Sequence, residues 1–188
     1  AGGGAGREVG RARGGGGQIV GGVRSGDRFR LITFASVVRS FDGDWMRANR
    51  KNVARAVEYL RGVPADGSTN IHDALLEALA PATDAERLSL VVFLTDGGIG
   101  NETQLLDELK LRVHESRIFA IGIGRAPNSY FMRKLAQLGR GSFTHIGDPA
   151  EVAEKMTTLF RKLESAVATD IEIEFSGGGE LEMYPYKV

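Results

Sequence analysis

"VVFLTDGG", residues Val91 to Gly98, decides the fold. Four apolar side chains run without alternation, a threonine and an aspartate follow, and two glycines break the chain. A continuous apolar run bounded by a turn reads as a strand buried on both faces. Such strands belong to parallel sheets sandwiched between helices, and open sheets of that kind take ligands beyond the carboxyl ends of their strands. Asp96 stands at that end. It is a candidate functional carboxylate, set against a plainer role in which it satisfies backbone amides of the turn.

The pattern outward from this strand alternates. "RFRLITFAS" (28–36) reads as a strand, and "VVRSF" (37–41) extends it into an edge hairpin. A helix follows, with Asp44 as the expected N-cap and Met46, Val53, Val57 and Leu60 on one stripe. "GVPADGSTN" (62–70) is a loop of turn formers, and "IHDALLEALA" (71–80) is a short helix capped by Asn70. Downstream of Asp96, Asn101 with Gln104 forms a capping pair for a helix carrying Leu105, Leu106, Leu109 and Val113. "RIFAIGIG" (117–124) is a second buried strand, "NSYFMRKLAQLG" (128–139) a helix closed by Gly139, and "GSFTHI" (141–146) the last core strand. In "DPAE" (148–151), Asp148 caps, Pro149 takes the first helical position and Glu151 reaches back, opening a helix that runs to about Ala166. Strands alternating with helices of this length give βαβ units. The expected fold is α/β, doubly wound and Rossmann-like, with a mostly parallel sheet flanked by helices.

The two ends differ from this pattern. "DIEIEFSGGGELEMY" (170–184) alternates in period two around a glycine turn and reads as a β-hairpin. It predicts a division into a domain over 1–168 and the start of a β-rich second domain over 169–188. The first 26 residues hold twelve of the chain's 26 glycines. At face value that is a flexible linker. Yet Val9, Ile19, Val20 and Val23 recur at roughly helical intervals, and a doubly wound sheet needs a strand and helix ahead of Arg28. The favoured expectation is a helix whose written sequence is incomplete, with glycines standing in for unidentified side chains and the first strand missing or unassigned.

Composition narrows the function classes. The chain has 188 residues, 42% hydrophobic and 26% charged, with 24 Lys and Arg against 24 Asp and Glu. That balance gives no net field for nucleic acid or an acidic membrane surface. Cysteine is absent, which excludes disulfides, thiolate metal sites and cysteine nucleophiles. No apolar run reaches the ~20 residues needed to span a bilayer as a helix. Enzyme signatures are equally thin. "GIGRAP" (122–127) lacks the third glycine of a dinucleotide loop, there is no phosphate-binding G-x-x-x-x-G-K-[ST], and "FSGGG" has the wrong spacing for a nucleophile elbow. His72, His114 and His145 lie on separate elements without zinc-ligand spacing and read as surface or boundary residues. The chain is expected not to be an enzyme.

Two polar clusters remain where the fold places ligands: "GSTN" (67–70), entering a helix, and "TDGG" (95–98), ending a strand. Together with "GDRFRLITFAS", "GSTNIHDALLEAL", "VVFLTDGGIGNE" and "IGIGRAPNSYFMRKLAQLGRGSFTHIGD", they resemble a von Willebrand factor A domain. The likeness is to the branch found in inter-alpha-trypsin-inhibitor heavy chains and in bacterial, sortase-anchored proteins, where the domain follows a VIT domain. It covers about Gly26 to Tyr186.

The resemblance implies a metal-ion-dependent adhesion site (MIDAS) built from an Asp-x-Ser-x-Ser motif, a threonine on a second loop and an aspartate on a third. Carried over by position, Thr69 is the threonine and Asp96 the third-loop aspartate, with Ser68, Asn70, Gly97 and Gly98 as the partner-binding rim. Mg²⁺, which takes about six hard oxygens in an octahedron, suits such donors, with Mn²⁺ or Ca²⁺ as alternatives. The implied partner is an acidic side chain of a protein ligand, beside adjacent domains of the same polypeptide, at an extracellular or bacterial cell-envelope location. Neither nucleic acid nor direct membrane insertion is expected. The first motif departs from the family: counting back without gaps from "SGDRF", its serine positions fall on Ala1 and Gly3, and its aspartate precedes residue 1. Two expectations follow. One is a metal-dependent adhesion module whose first motif is missing from the written sequence; the other is a metal-free, degenerate domain serving as a scaffold between its neighbours.

Overall fold

The computed structural model describes residues 14–64, 70–80, 87–95, 102–113, 116–124, 128–148 and 151–164. In chain order these form helix α1 (14–21), strands β1 (Arg28–Phe29), β2 (Ile32–Phe34), β3 (Val38–Ser40) and β4 (Met46–Arg47), and helices α2 (Arg50–Gly62) and α3 (Ile71–Ala78). Strand β5 (Leu90–Thr95), α4 (Glu102–Lys110), β6 (Arg117–Ile123), α5 (Ser129–Leu138), β7 (Phe143–Ile146) and α6 (Val152–Glu164) complete the order.

The centre is a parallel sheet in the order β5-β6-β7. Its register runs Leu90 against Arg117 through Thr95 against Gly122, then Ala120 against Phe143 through Ile123 against Ile146. Side chains alternate across a strand, and the two faces divide accordingly. Val91, Phe93, Ile118 and Ala120 pack with α3, α4 and α5, through Leu75, Leu105, Leu109, Phe131 and Leu135. Val92, Leu94, Ile121 and Ile123 face the opposite layer, with Met156 and Leu159 of α6 and Ile19 of α1. Helices on both faces and parallel pairing make this the expected doubly wound α/β fold.

A second cluster joins α1, β1, β4 and α2 through Val20, Phe29, Met46, Ala56 and Leu60. Here the local expectations change. The segment expected as one strand over 28–36 divides in two: Phe29 pairs with Met46 in one antiparallel ladder, and Ile32–Phe34 pair with Val38–Ser40 in another. Asp44 does not cap α2. Asp42 and Gly43 take consecutive positive φ angles of 55° and 76°, which reverse the chain into β4, and the Asp44 carboxylate accepts from the Trp45 amide at 2.6 Å. Met46 lies in β4 and Asn49 is the cap, accepting from the Asn52 amide at 2.9 Å. Glu151 pairs forward with Lys155 at 2.8 Å, and its amide donates to the Asp148 carbonyl at 3.0 Å.

The glycine-rich start is helical over 14–21, although five of those eight residues are glycine. Each glycine costs a helix about 1 kcal/mol relative to alanine; packing of Val20 and Ile19 opposes that cost. A Cβ built at Gly14 or Gly21 meets nothing within 4 Å, and at Gly17 its nearest neighbour is Val57 Cγ1 at 4.0 Å. Packing at these sites does not require glycine. Gly139 and Gly141 are different, because a Cβ there would stand 2.3 Å from Ile118 Cγ1 and 2.1 Å from Ile118 O. Gly139 caps α5 at φ −87°, an ordinary angle, so close approach to β6 selects it. The residues from 165 onward, including the expected hairpin, lie outside the described residues.

Candidate functional site

Helices α4, α5 and α6 follow β5, β6 and β7 in the chain, and asparagines cap α3 and α5. Asn70 caps α3, its Oδ1 accepting from the Asp73 amide at 3.2 Å while its Nδ2 donates to the Asp73 carboxylate at 2.8 Å. Its own amide donates to the carbonyl of Ala35 at 2.8 Å, fastening the start of α3 to the end of β2. Asn128 caps α5, accepting from the Phe131 amide at 3.1 Å, and its Nδ2 donates to the Glu102 carboxylate in the first turn of α4.

The strand ends are equally constrained. β5 finishes at Thr95, which is buried. After β6, Gly124 adopts φ 102° while its amide donates to Ile146 O at 2.9 Å. An L side chain rarely tolerates that angle, so the turn geometry, not a dinucleotide loop, selects this glycine. His145 Nε2 lies 2.8 Å from the Gly124 carbonyl, and Lys155 Nζ donates to His145 O at 2.6 Å.

Of the six residues expected to form the site, the described part contains Asn70. Thr69, Ser68, Asp96, Gly97 and Gly98 lie outside it, as do Asn101 and His114. The flanks of both loops are described. Asn70 directly follows Thr69, and Thr95 directly precedes Asp96. Phe34, one residue before Ala35, stacks on Phe93 of β5 with ring centroids 5.6 Å apart and planes 9° from parallel. The Ala35–Asn70 bond and the Phe34–Phe93 stack therefore tie the two flanks together. Among the described residues, no three His, Cys, Asp or Glu side chains form a metal-binding group.

A polar chain that sequence reading missed starts at the same cap. His72 Nδ1 lies 2.9 Å from Asp73 Oδ1, and His72 Nε2 lies 2.8 Å from Glu108 Oε2 on α4. Arg112 stands 3.6 Å from the other Glu108 oxygen. Hydrogen bonding to Asp73 and then Glu108 raises the His72 pKa, and the bonds from His72 and Asn70 lower that of Asp73. His72 and Glu108 are 36 residues apart, so no local spacing signals the pair.

The family model for the von Willebrand factor type A domain matches residues 19–144. The chain belongs to the von Willebrand factor type A domain family. It is 24% identical over 176 residues to inter-alpha-trypsin inhibitor heavy chain H6 of Homo sapiens, covering 85% of this chain and 13% of that protein. Among solved structures, a von Willebrand factor type A protein from Catenulispora acidiphila superposes with a TM-score of 0.70 at 22% identity, over 82% of this chain and 38% of that one. Proximal thread matrix protein 1 from the mussel byssus, with a zinc-occupied MIDAS motif, superposes with a TM-score of 0.59 at 14% identity, over 82% and 42% of the two chains. The present chain spans 13% to 20% of the length of the first curated relatives it matches. No helix among the described residues is long and apolar enough to cross a membrane.

Proposed function

We propose that this domain is a non-catalytic protein-binding and adhesion module that uses a divalent cation at the carboxyl edge of its sheet. Thr69 and Asp96 hold the ion, and Ser68, Asn70, Gly97 and Gly98 form the rim that meets an acidic side chain of the partner. The observation that carries this reading is the joining of the two loop flanks through Ala35–Asn70 and Phe34–Phe93. Family membership supports the same placement, and the mussel neighbour has a metal-occupied motif of this kind.

The donor chemistry fits a hard cation in kind. A hydroxyl and a carboxylate are hard oxygen donors of the sort Mg²⁺ takes, with Mn²⁺ or Ca²⁺ as alternatives. In number they leave most of about six positions to water, to a first loop and to the partner. Such an ion supplies positive charge left uncompensated by the protein, which an incoming carboxylate neutralises. The reading places the module outside the cell or on a bacterial envelope, next to further domains of its own polypeptide.

Ala1 and Gly3, at the serine positions of the first motif, favour a second reading: a metal-free domain that acts as a scaffold between its neighbours. Isothermal titration with Mg²⁺ and Mn²⁺ separates the two. The adhesion reading expects saturable binding that is lost in Asp96→Ala and weakened in Thr69→Val. Absence of binding in the unmodified chain, with partner adhesion unaffected by Asp96→Ala, overturns it in favour of the scaffold.

A further inference from the structure

We propose that His72 is a proton-dependent tie between α3 and α4 that sets how firmly the rim residue Asn70 is presented at the carboxyl edge. The geometry makes the case. His72 places one ring nitrogen on Asp73 at 2.9 Å and the other on Glu108 at 2.8 Å, and ionised carboxylates only accept hydrogen bonds. Both bonds can be made only by the doubly protonated imidazolium. A neutral imidazole has a single N–H, so loss of the proton leaves one nitrogen lone pair facing a carboxylate. The bond to Asp73 stays within one helix, whereas the bond to Glu108 joins two.

The chain of contacts continues to the rim. Asp73 uses one oxygen for His72 and the other for the Asn70 side chain, at 2.8 Å. Asn70 is the cap of α3, held to Ala35. Protonation of His72 thus acts along Glu108, His72, Asp73 and Asn70. Among the described residues, the charged groups facing this tie are Asp73 on α3, Glu108 on α4 and Arg112 just beyond α4, which lies 3.6 Å from Glu108. On the outer side of α4, Asp107 and Lys110 pair with each other at 2.7 Å. The His72 pKa is raised by these carboxylates, which extends the tied state towards neutral pH.

The consequence for metal binding rests on the reading proposed above, and the experiment keeps the two separate. The His72 ring is followed by NMR from pH 5 to 9 in the full chain and in Glu108→Gln, together with amide exchange of α3 and α4, corrected for intrinsic rates. A midpoint above 6.5 that falls in Glu108→Gln, with protection of α4 decreasing as His72 deprotonates, is expected. A midpoint near 6.5 that Glu108→Gln leaves unmoved overturns the tie. Mn²⁺ alone is then titrated at pH 6 and pH 8 into the chain and into His72→Gln.

Carboxylates are already ionised between pH 6 and 8, so His72 is the group in this chain of contacts that changes charge there. Loss of its proton releases the start of α3, next in sequence to Thr69, so the parent should lose about threefold in Mn²⁺ affinity from pH 6 to 8 relative to His72→Gln, a ratio in the range an exposed ion pair supports. An equal change in the two proteins overturns the regulation of the site. Absence of Mn²⁺ binding in the parent overturns both the metal reading and this regulation, while the NMR and exchange results still decide the tie.

Discussion

Phe34 of β2 and Phe93 of β5 stack face to face, centroids 5.6 Å apart and planes 9° from parallel, although 59 residues separate them. This contact joins the β2–β3 hairpin to the parallel sheet, which belongs to a separate ladder. It lies one residue from Ala35, which holds the α3 cap, and two residues from Thr95, where β5 ends.

Truncation of this pair should be costly and coupled. Phe93 is buried, so Phe93→Ala is expected to lose about 3–5 kcal/mol of unfolding free energy. Urea denaturation of Phe93→Leu, Phe34→Leu and the double mutant should give a coupling of about 1 kcal/mol, the worth of an aromatic pair beyond its buried area. A coupling near zero would show that the rings merely adjoin.

Glycines of opposite kinds predict opposite signs. In Gly141→Ala the new methyl meets the carbonyl of Ile118 at 2.1 Å, backbone that cannot rotate aside. Overpacking of this type costs about 1–3 kcal/mol. Gly17→Ala places its methyl 4.0 Å from Val57 within a helix, and should stabilise by about 0.5–1 kcal/mol. Thermal or urea unfolding of the two variants reads the contrast directly.

Removal of the α3 cap gives a third test. Asn70→Ala loses the acceptor for the Asp73 amide, worth about 1 kcal/mol at a helix N-cap. Asn70→Asp keeps that acceptor but sets a second carboxylate against Asp73 in place of a donor. Its stability should fall between the parent and Asn70→Ala at neutral pH. Far-UV melting curves of the three proteins at pH 7 distinguish these outcomes.

The sign of the pH dependence at His72 follows from linkage. Its folded pKa is raised, so its contribution to stability is fully present below about 6.5 and is lost as pH rises through the folded value. Asp73 has a lowered pKa, so its contribution is present above the unfolded value and is lost as pH falls through the folded one. The stability difference between the parent and His72→Gln should therefore be largest in mildly acidic solution and vanish in alkaline solution. Chemical denaturation of both proteins at pH 5, 6.5 and 9 measures it; a difference that grows with pH contradicts the tie.

Much of the architecture was legible in local chemistry. β5 and β6 are apolar runs broken by glycine or turn residues, and their side chains divide between two helical layers as period two requires. Asn70 announces its helix because a short amide beside an apolar stripe serves as a cap, whereas the helix expected from Asn128 starts at Ser129 with Asn128 as its cap. The segment over 42–49 was less legible. Asp44 precedes apolar residues at helical spacing, but two left-handed residues at 42 and 43 and a cross-strand partner for Met46 outweigh that spacing.

By itself, then, the sequence determined the doubly wound class, the strand ends on which the candidate loops sit, and the family, because these depend on periodicity, turn chemistry and collinear motifs. Only the tertiary structure decided what lies across space. The stack of Phe34 on Phe93, the exclusion of any Cβ at Gly139 and Gly141 by Ile118, and the bridge from His72 to Glu108 all join residues more than twenty positions apart. Their energies arise from the meeting of surfaces that separate elements carry, and a linear pattern records each surface without recording which other one it meets.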